Sequence, residues 1–278
     1  MEKIKLNNGL EIPAIGFGTW KAPTGEITIE AVKNAISSGF RFIDCASVYG
    51  NEKEVGFGIQ AGGVAREELF ITGKLWNDIR GYQETIEAFE KTCSDLQVDY
   101  LDMYMLHWPR PSVYHDDYIE KNAQSWKAMQ DLVKAGRVKS IAVSNFKVHH
   151  LEELMERADI KPAANQIEFH PSCFQTEVRA FCEKNEIAVQ GYSTLANGKV
   201  FECEEIIQIS KEQNVSVAQL CTKYAMQHHV IPLVKSVNKE RILSNLQLDF
   251  TLDKKAMDQI DKVTTCGGSY NDSDLIEF

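Results

Sequence analysis

Short apolar runs and amphipathic stretches alternate along the whole chain, and this alternation limits the fold more than any other feature. Eight runs read as buried strands: Ala14 to Thr19, Phe42 to Ala46, Leu69 to Lys74, Asp102 to His107, Ser140 to Ser144, Ala164 to Glu168, Ala188 to Ser193, and Val230 to Lys235. Between them apolar residues recur at helical spacing, as in Val32, Ala35 and Ile36, in Trp126, Met129, Leu132 and Val133, and in Leu151, Leu154 and Met155. Gly39 and Gly136 follow two of these stretches, where a left-handed residue ends a helix. Repeated strand-then-helix order gives parallel strands joined by right-handed crossovers. Eight strands are the number a closed barrel requires, so the chain is predicted to be an α/β protein, a (β/α)8 TIM barrel occupying residues 1–278 as one domain.

Length agrees with that prediction. At 278 residues and 44% hydrophobic, the chain can bury roughly three quarters of its unfolded surface, and one such barrel takes about 250 residues. No linker, low-complexity tract or charge block marks a second domain. An open doubly wound sheet is the competing architecture. Gly56-Phe57-Gly58 followed by Gly62-Gly63 has the wrong spacing for a dinucleotide loop and lies in a helical stretch, so it lends that alternative little support.

Net charge is -10, which argues against a nucleic-acid partner, since a phosphate backbone selects a basic face. Any anionic ligand must be held by a local basic cluster. The first residues lack the apolar core of a signal peptide and no run is long and apolar enough to span a bilayer, so a cytoplasmic protein is expected. Seven scattered cysteines without a Cys-x-x-Cys pair suggest neither a disulfide framework nor a zinc site.

Parallel barrels gather their chemistry at the C-terminal ends of the strands. Lys74 and His107 end two of the runs, Asp44 lies near the end of a third, and Tyr49 lies in the turn beyond it. Reduction of a carbonyl needs a proton for the oxygen as charge develops there. A free phenol, with a pKa near about 10, is a sluggish donor at neutral pH, and a neighbouring ammonium stabilises the phenolate and lowers that value. Lys74 can supply the ammonium, and Asp44 can keep it charged by forming an ion pair. His107 can donate a hydrogen bond to the carbonyl oxygen. Taken singly, each residue reads as well as structural: a buried salt bridge, a capping phenol, a core histidine. Four of the required types at successive strand ends favour the chemical reading.

The segments Phe42-Ile43-Asp44 with Tyr49-Gly50-Asn51-Glu52, Thr72-Gly73-Lys74-Leu75-Trp76 and Leu106-His107-Trp108-Pro109 resemble the aldo-keto reductases, and the resemblance runs along nearly the whole chain. It implies that the hairpin read at Ile4 to Ile12, around an Asn8-Gly9 turn, closes the bottom of the barrel. It assigns Asp44, Tyr49, Lys74 and His107 the roles just described. It also implies NADPH as cofactor. Lys235, Ser236 and Arg241, at the end of the last run and the start of a helix, would hold the adenosine 2′-phosphate, and Asn245 would contact the adenine. Ser244 stands where many family members carry an acidic residue, which weakens the adenine contact. Ser144, Asn145 and Gln166 would fix the carboxamide, Tyr192 would stack on the nicotinamide ring, and Ser193 and Leu195, with the loop from Asn197 to Lys199, would cover the pyrophosphate.

Trp20, Trp76 and Trp108 follow the first, third and fourth runs and are expected to line an aromatic substrate pocket. The stretch from Arg110 to Lys121, with Tyr114 and Tyr118, is expected to add a wall. The implied partner is a small-molecule carbonyl substrate, acting on a monomer or a homodimer, with no membrane and no resident metal. Two other readings stay open: a non-catalytic NADPH-binding regulatory subunit on the same fold, and a barrel hydrolase with Asp44, His107 and His170 as metal ligands.

Overall fold

In the computed structural model, which describes residues 2–269 and 271–277, the eight predicted runs form strands β3 to β10. They are β3 (Gly16–Gly18), β4 (Phe42–Asp44), β5 (Phe70–Leu75), β6 (Leu101–Leu106), β7 (Val138–Ser144), β8 (Ala164–Glu168), β9 (Ala188–Tyr192) and β10 (Val230–Val234). Each pairs in parallel with its neighbours, and the order β10-β3-β4-β5-β6-β7-β8-β9 closes on itself. The fold is the expected TIM barrel.

A preceding hairpin, β1 (Lys3–Lys5) and β2 (Glu11–Pro13), pairs antiparallel with Ile4 opposite Ile12. The Asn7 and Asn8 side-chain amides donate to the carbonyls of Pro162 (2.8 Å) and Lys139 (3.1 Å), near the starts of β8 and β7. The hairpin therefore covers the N-terminal end of the barrel, as the family resemblance implied.

Ten α-helices surround the strands among the described residues. In chain order they are α1 (Glu26–Ser38), α2 (Glu52–Ala61), α3 (Tyr82–Leu96), α4 (Tyr118–Lys134), α5 (Val148–Met155), α6 (Thr176–Lys184), α7 (Glu204–Glu212), α8 (Val217–Gln227), α9 (Lys239–Ser244) and α10 (Lys254–Ile260). Gly39 ends α1 with a φ of 116°, the conformation that excludes a β-carbon. Gly56 lies within α2, where an added Cβ would stand 2.7 Å from the Leu96 carbonyl oxygen. That glycine lets α2 and α3 approach; it is not part of a phosphate loop. None of the described helices is long and apolar enough to cross a membrane.

Successive side chains of a strand face opposite sides, and this splits the core in two. Outward residues such as Ile43, Ile71, Ile141 and Val143 pack against the helices, with Val32, Phe89, Trp126 and Leu151 across the interface. Inward residues fill the barrel: Phe42, Phe70, Met103, Met105, Ala142, Ala164, Ile231 and Leu233 pack with Leu6 and Ile12 from the hairpin. Burying each of the larger side chains contributes about 1.5–3 kcal/mol. Above this apolar plug the inward positions turn polar, with Asp44, Lys74, Ser144, Gln166, Gln190 and Tyr192. The plug forms a dry floor beneath that polar ring.

Candidate active site

The polar ring and the loops above it enclose a cavity of about 570 Å³. Asp44, Tyr49, His107, Ser144, Asn145, Gln166 and Tyr192 line it, and so do Trp20, Trp76 and Trp108. Tyr49 is delivered by a short 3-10 turn, Ser47–Tyr49, which Gly50 ends in the left-handed region. Lys74 lies behind this surface, wholly buried.

Lys74 Nζ donates to Asp44 Oδ2 at 2.6 Å, to the Cys45 carbonyl at 3.0 Å and to Tyr49 Oη at 3.3 Å. Burial alone pushes this ammonium toward losing its proton, but the Asp44 carboxylate and the Tyr49 oxygen outweigh it and raise the lysine above its ordinary value. The tyrosine departs from the expectation of a lowered pKa. Burial raises Tyr49 to about 12, and the opposing pull of Lys74 is offset in part by Asp44. The phenol of the ligand-free protein is therefore fully protonated at neutral pH.

His107 packs edge-on against Tyr49, with ring centroids 5.8 Å apart, and against Trp76 at 5.1 Å. Burial, with the positive charges of Lys74 and Arg80 nearby, drives its imidazole well below the usual value. It is neutral, and its Nδ1 has no hydrogen-bond partner among the described residues. An orphaned acceptor is less costly than an orphaned N–H, so the ring proton belongs on Nε2.

Asn145 adopts a φ of 63° just beyond β7. Its amide donates to the His107 carbonyl and to Ser144 Oγ, both at 3.0 Å, while its Oδ1 accepts from Tyr192 Oη at 2.7 Å. Gln166 Nε2 donates to Asp44 Oδ1 and to Gln190 Oε1, both at 2.9 Å. Ser193 and Leu195 also line the cavity, and Lys235 stands at its rim with Nζ 3.3 Å from the Lys21 carbonyl. Ser236, Arg241 and Asn245 do not line it. They lie further along the same stretch, with Arg241 exposed and Ser236 and Asn245 buried. The backbone N–H of Arg241, at the start of the short α9, is taken by the Asn238 side chain at 2.9 Å. The help expected there from the N-terminal end of the helix is reduced accordingly.

The Arg110 to Lys121 stretch does not form the predicted wall. Tyr114 Oη donates to the Asp78 carbonyl at 3.1 Å and Tyr118 Oη to Glu153 at 2.8 Å, and neither residue lines the cavity. Ser269 and Asn271 also line the cavity, and sequence reasoning missed them because they belong to a polar, glycine-containing segment without periodicity. The segment is tied down by Ser273 Oγ, which donates to the Asn145 carbonyl at 2.6 Å, and by Asp274, 2.7 Å from Lys147 Nζ. Arg80, also unforeseen, is wholly buried and donates to the carbonyls of Trp76 (2.6 Å), Ile79 (2.8 Å) and Trp108 (2.8 Å). It fastens together the two loops that carry Trp76 and Trp108.

The ligand set Asp44, His107 and His170 is not assembled. His170 lies against Glu168, with Nε2 3.5 Å from Oε1, and against Cys266 Sγ at 4.0 Å, while the Asp44 carboxylate faces Lys74 and Gln166.

A sequence profile of the Aldo/keto reductase family matches residues 14–265. The chain is 45% identical over 261 residues to the glyoxal reductase of Bacillus subtilis, covering 94% of this chain and 92% of that one. It is 39% identical over 263 residues to the methylglyoxal reductase DkgA of Salmonella typhimurium, with coverage of 94% and 92%. Among solved structures, a Bombyx mori aldo-keto reductase in complex with NADP superposes with a TM-score of 0.84 at 34% identity, covering 94% of this chain and 92% of that one.

Proposed function

The chain belongs to the aldo/keto reductase family, and on that footing we propose that it uses NADPH to reduce a small aldehyde or ketone to the alcohol, with Tyr49 as proton donor. Membership makes it an oxidoreductase acting on carbonyl compounds with a nicotinamide reductant. The observation that carries the finer reading is the chain of contacts Asp44 to Lys74 at 2.6 Å and Lys74 to Tyr49 at 3.3 Å, ending at a cavity that His107 also faces.

The residues present fit the cofactor. A flat ring can lie against Tyr192 while Gln166 and Asn145 meet a carboxamide, and Lys235 with the nearby Arg241 offers positive charge where an extra phosphate would require it. When bound, NADPH supplies the hydride that adds to the carbonyl carbon. The protein's own part is to orient the carbonyl oxygen and to deliver a proton. The His107 Nε2–H points the oxygen toward Tyr49, and as negative charge grows there the phenol gives up its proton. Lys74 then faces a phenolate, and that attraction, absent before the transfer, favours the charge-shifted state over the ground state. Water restores the phenol proton after product leaves.

For substrate we propose small dicarbonyls of the kind for which the two bacterial relatives are named, glyoxal and methylglyoxal. Trp20, Trp76 and Trp108 provide flat apolar walls. The test is NADPH consumption across dicarbonyls, aliphatic and aromatic aldehydes, and ketones, with Tyr49→Phe as control. The expected result is turnover that the variant loses by roughly a hundred-fold or more while it still binds NADPH. Turnover unchanged in Tyr49→Phe rejects the proton donor, and no turnover on any compound supports a non-catalytic NADPH-binding subunit.

A further inference from the structure

The hydrogen bonds of the polar ring run in one direction only, and a residue with no access to the cavity completes them. As partner of the Lys74 ammonium, the Asp44 carboxylate accepts hydrogen bonds and donates none. Gln166, 2.9 Å from Asp44 Oδ1, must therefore turn its NH2 toward Asp44. The second proton of that NH2 is met by Gln190 Oε1, also at 2.9 Å. This leaves the Gln190 NH2 facing Met103 Sδ at 3.4 Å, a weak acceptor. Gln190 is wholly buried and does not line the cavity, whereas Gln166 does. With both of its N–H groups engaged, Gln166 has only its carbonyl oxygen left to present.

We propose that Gln190 is a positioning residue that, through Gln166, fixes an acceptor toward the carboxamide of the cofactor and couples that seat to the Asp44–Lys74–Tyr49 relay. The inference rests on the NADPH reading above. An acceptor at this point selects a ligand with an N–H to give. The carboxamide of NADPH has one, and the carboxylate of its nicotinic-acid analogue does not and is repelled. Removal of the Gln190 acceptor leaves one Gln166 N–H without a partner in a buried site and holds the amide by its Asp44 bond alone, so its oxygen is less firmly aimed.

The test is equilibrium binding to the full chain, with Gln190→Leu as the variant and Gln190→Glu, which keeps an acceptor oxygen, as the rescue. In Gln190→Leu the NADPH dissociation constant is expected to rise about ten-fold, matching the partial loss of one buried hydrogen bond. The preference for NADPH over the nicotinic-acid analogue should shrink several-fold. Binding of 2′-phospho-ADP-ribose, which has no nicotinamide, should not change, and Gln190→Glu should restore most of the NADPH affinity. Gln190→Met, checked by circular dichroism, replaces the leucine variant if packing is disturbed. Equal losses for NADPH and 2′-phospho-ADP-ribose, or an unchanged preference between the two cofactors, would overturn the proposal. Failure of the unmodified protein to bind NADPH would instead reject the cofactor reading on which it rests.

Discussion

Replacement of Lys74 by methionine removes the positive charge that touches the proposed proton donor and keeps most of the side chain's volume. Lys74 Nζ stands 3.3 Å from Tyr49 Oη. At that separation, with an effective dielectric constant of about 20, an ammonium and a phenolate attract by about 5 kcal/mol. A hydrogen bond to a charged group contributes a net of about 1.5–3 kcal/mol. Between these bounds lies about 3–4 kcal/mol, or roughly a hundred- to a thousand-fold in the rate of the chemical step. The substitution also strands the Asp44 carboxylate in a buried site, a loss of about 3–5 kcal/mol in stability. Lys74→Met combined with Asp44→Asn separates the two effects, because the double variant regains the melting temperature and not the rate. Single-turnover NADPH oxidation reads the chemical step directly, with NADPH binding and thermal unfolding measured beside it. A rate within ten-fold of the unmodified protein for a folded, NADPH-binding Lys74→Met would refute the argument that the ammonium carries the phenol's acidity.

Three further outcomes follow from the same geometry. With Tyr49 raised to about 12, a difference titration of the ligand-free protein, unmodified minus Tyr49→Phe, should show no phenolate from this residue below about pH 10, where an ordinary tyrosine is half ionised. Glu52, the buried first residue of α2 with Thr92 Oγ1 at 3.5 Å, is raised by burial from 4.5 to about 7. The folded state then holds a proton that the unfolded state has released, so stability declines as pH rises from 4.5 to 7; Glu52→Gln should raise the melting temperature at pH 8 and leave it unchanged at pH 4. Arg241→Ala should weaken NADPH binding by roughly ten-fold or more while NADH binding stays nearly constant, and fluorescence titration showing equal losses would reject the phosphate assignment.

Most of the barrel was legible because its eight strands are buried on both faces and so appear as continuous apolar runs. Ala164–Glu168 matches its predicted bounds, and the other strands differ by one or two residues at their ends: β3, β4, β9 and β10 stop short of the apolar run, β5 and β6 are shifted by one residue, and β7 begins two residues earlier. Gly16–Gly18 is, with Phe42–Asp44, among the shortest, and Thr19 still bonds the Asp44 carbonyl at 3.1 Å beyond it. The grouping of Asp44, Tyr49, Lys74 and His107 was legible because charged and polar residues at strand ends stand out against that apolar background. Arg80 did not stand out, since it reads as one more polar residue in a loop, and only the fold shows three carbonyls converging on it. The Tyr49 pKa was misjudged for a related reason: residue types report neighbouring charges, whereas burial, the larger influence here, depends on packing.

The division of the barrel interior into an apolar plug and a polar ring has a consequence for engineering. Both layers are built from the same strands, two residues apart, as Phe42 and Asp44 on β4 or Met105 on β6 and His107 just beyond it illustrate. A library confined to the ring and the loops above it varies selectivity on a scaffold whose foundation is untouched. One confined to the plug trades only in melting temperature. An insertion of a single residue within a strand respects neither boundary, for it rotates the chemistry outward and the foundation with it, so in this architecture a misregistered strand loses its activity and its solubility together.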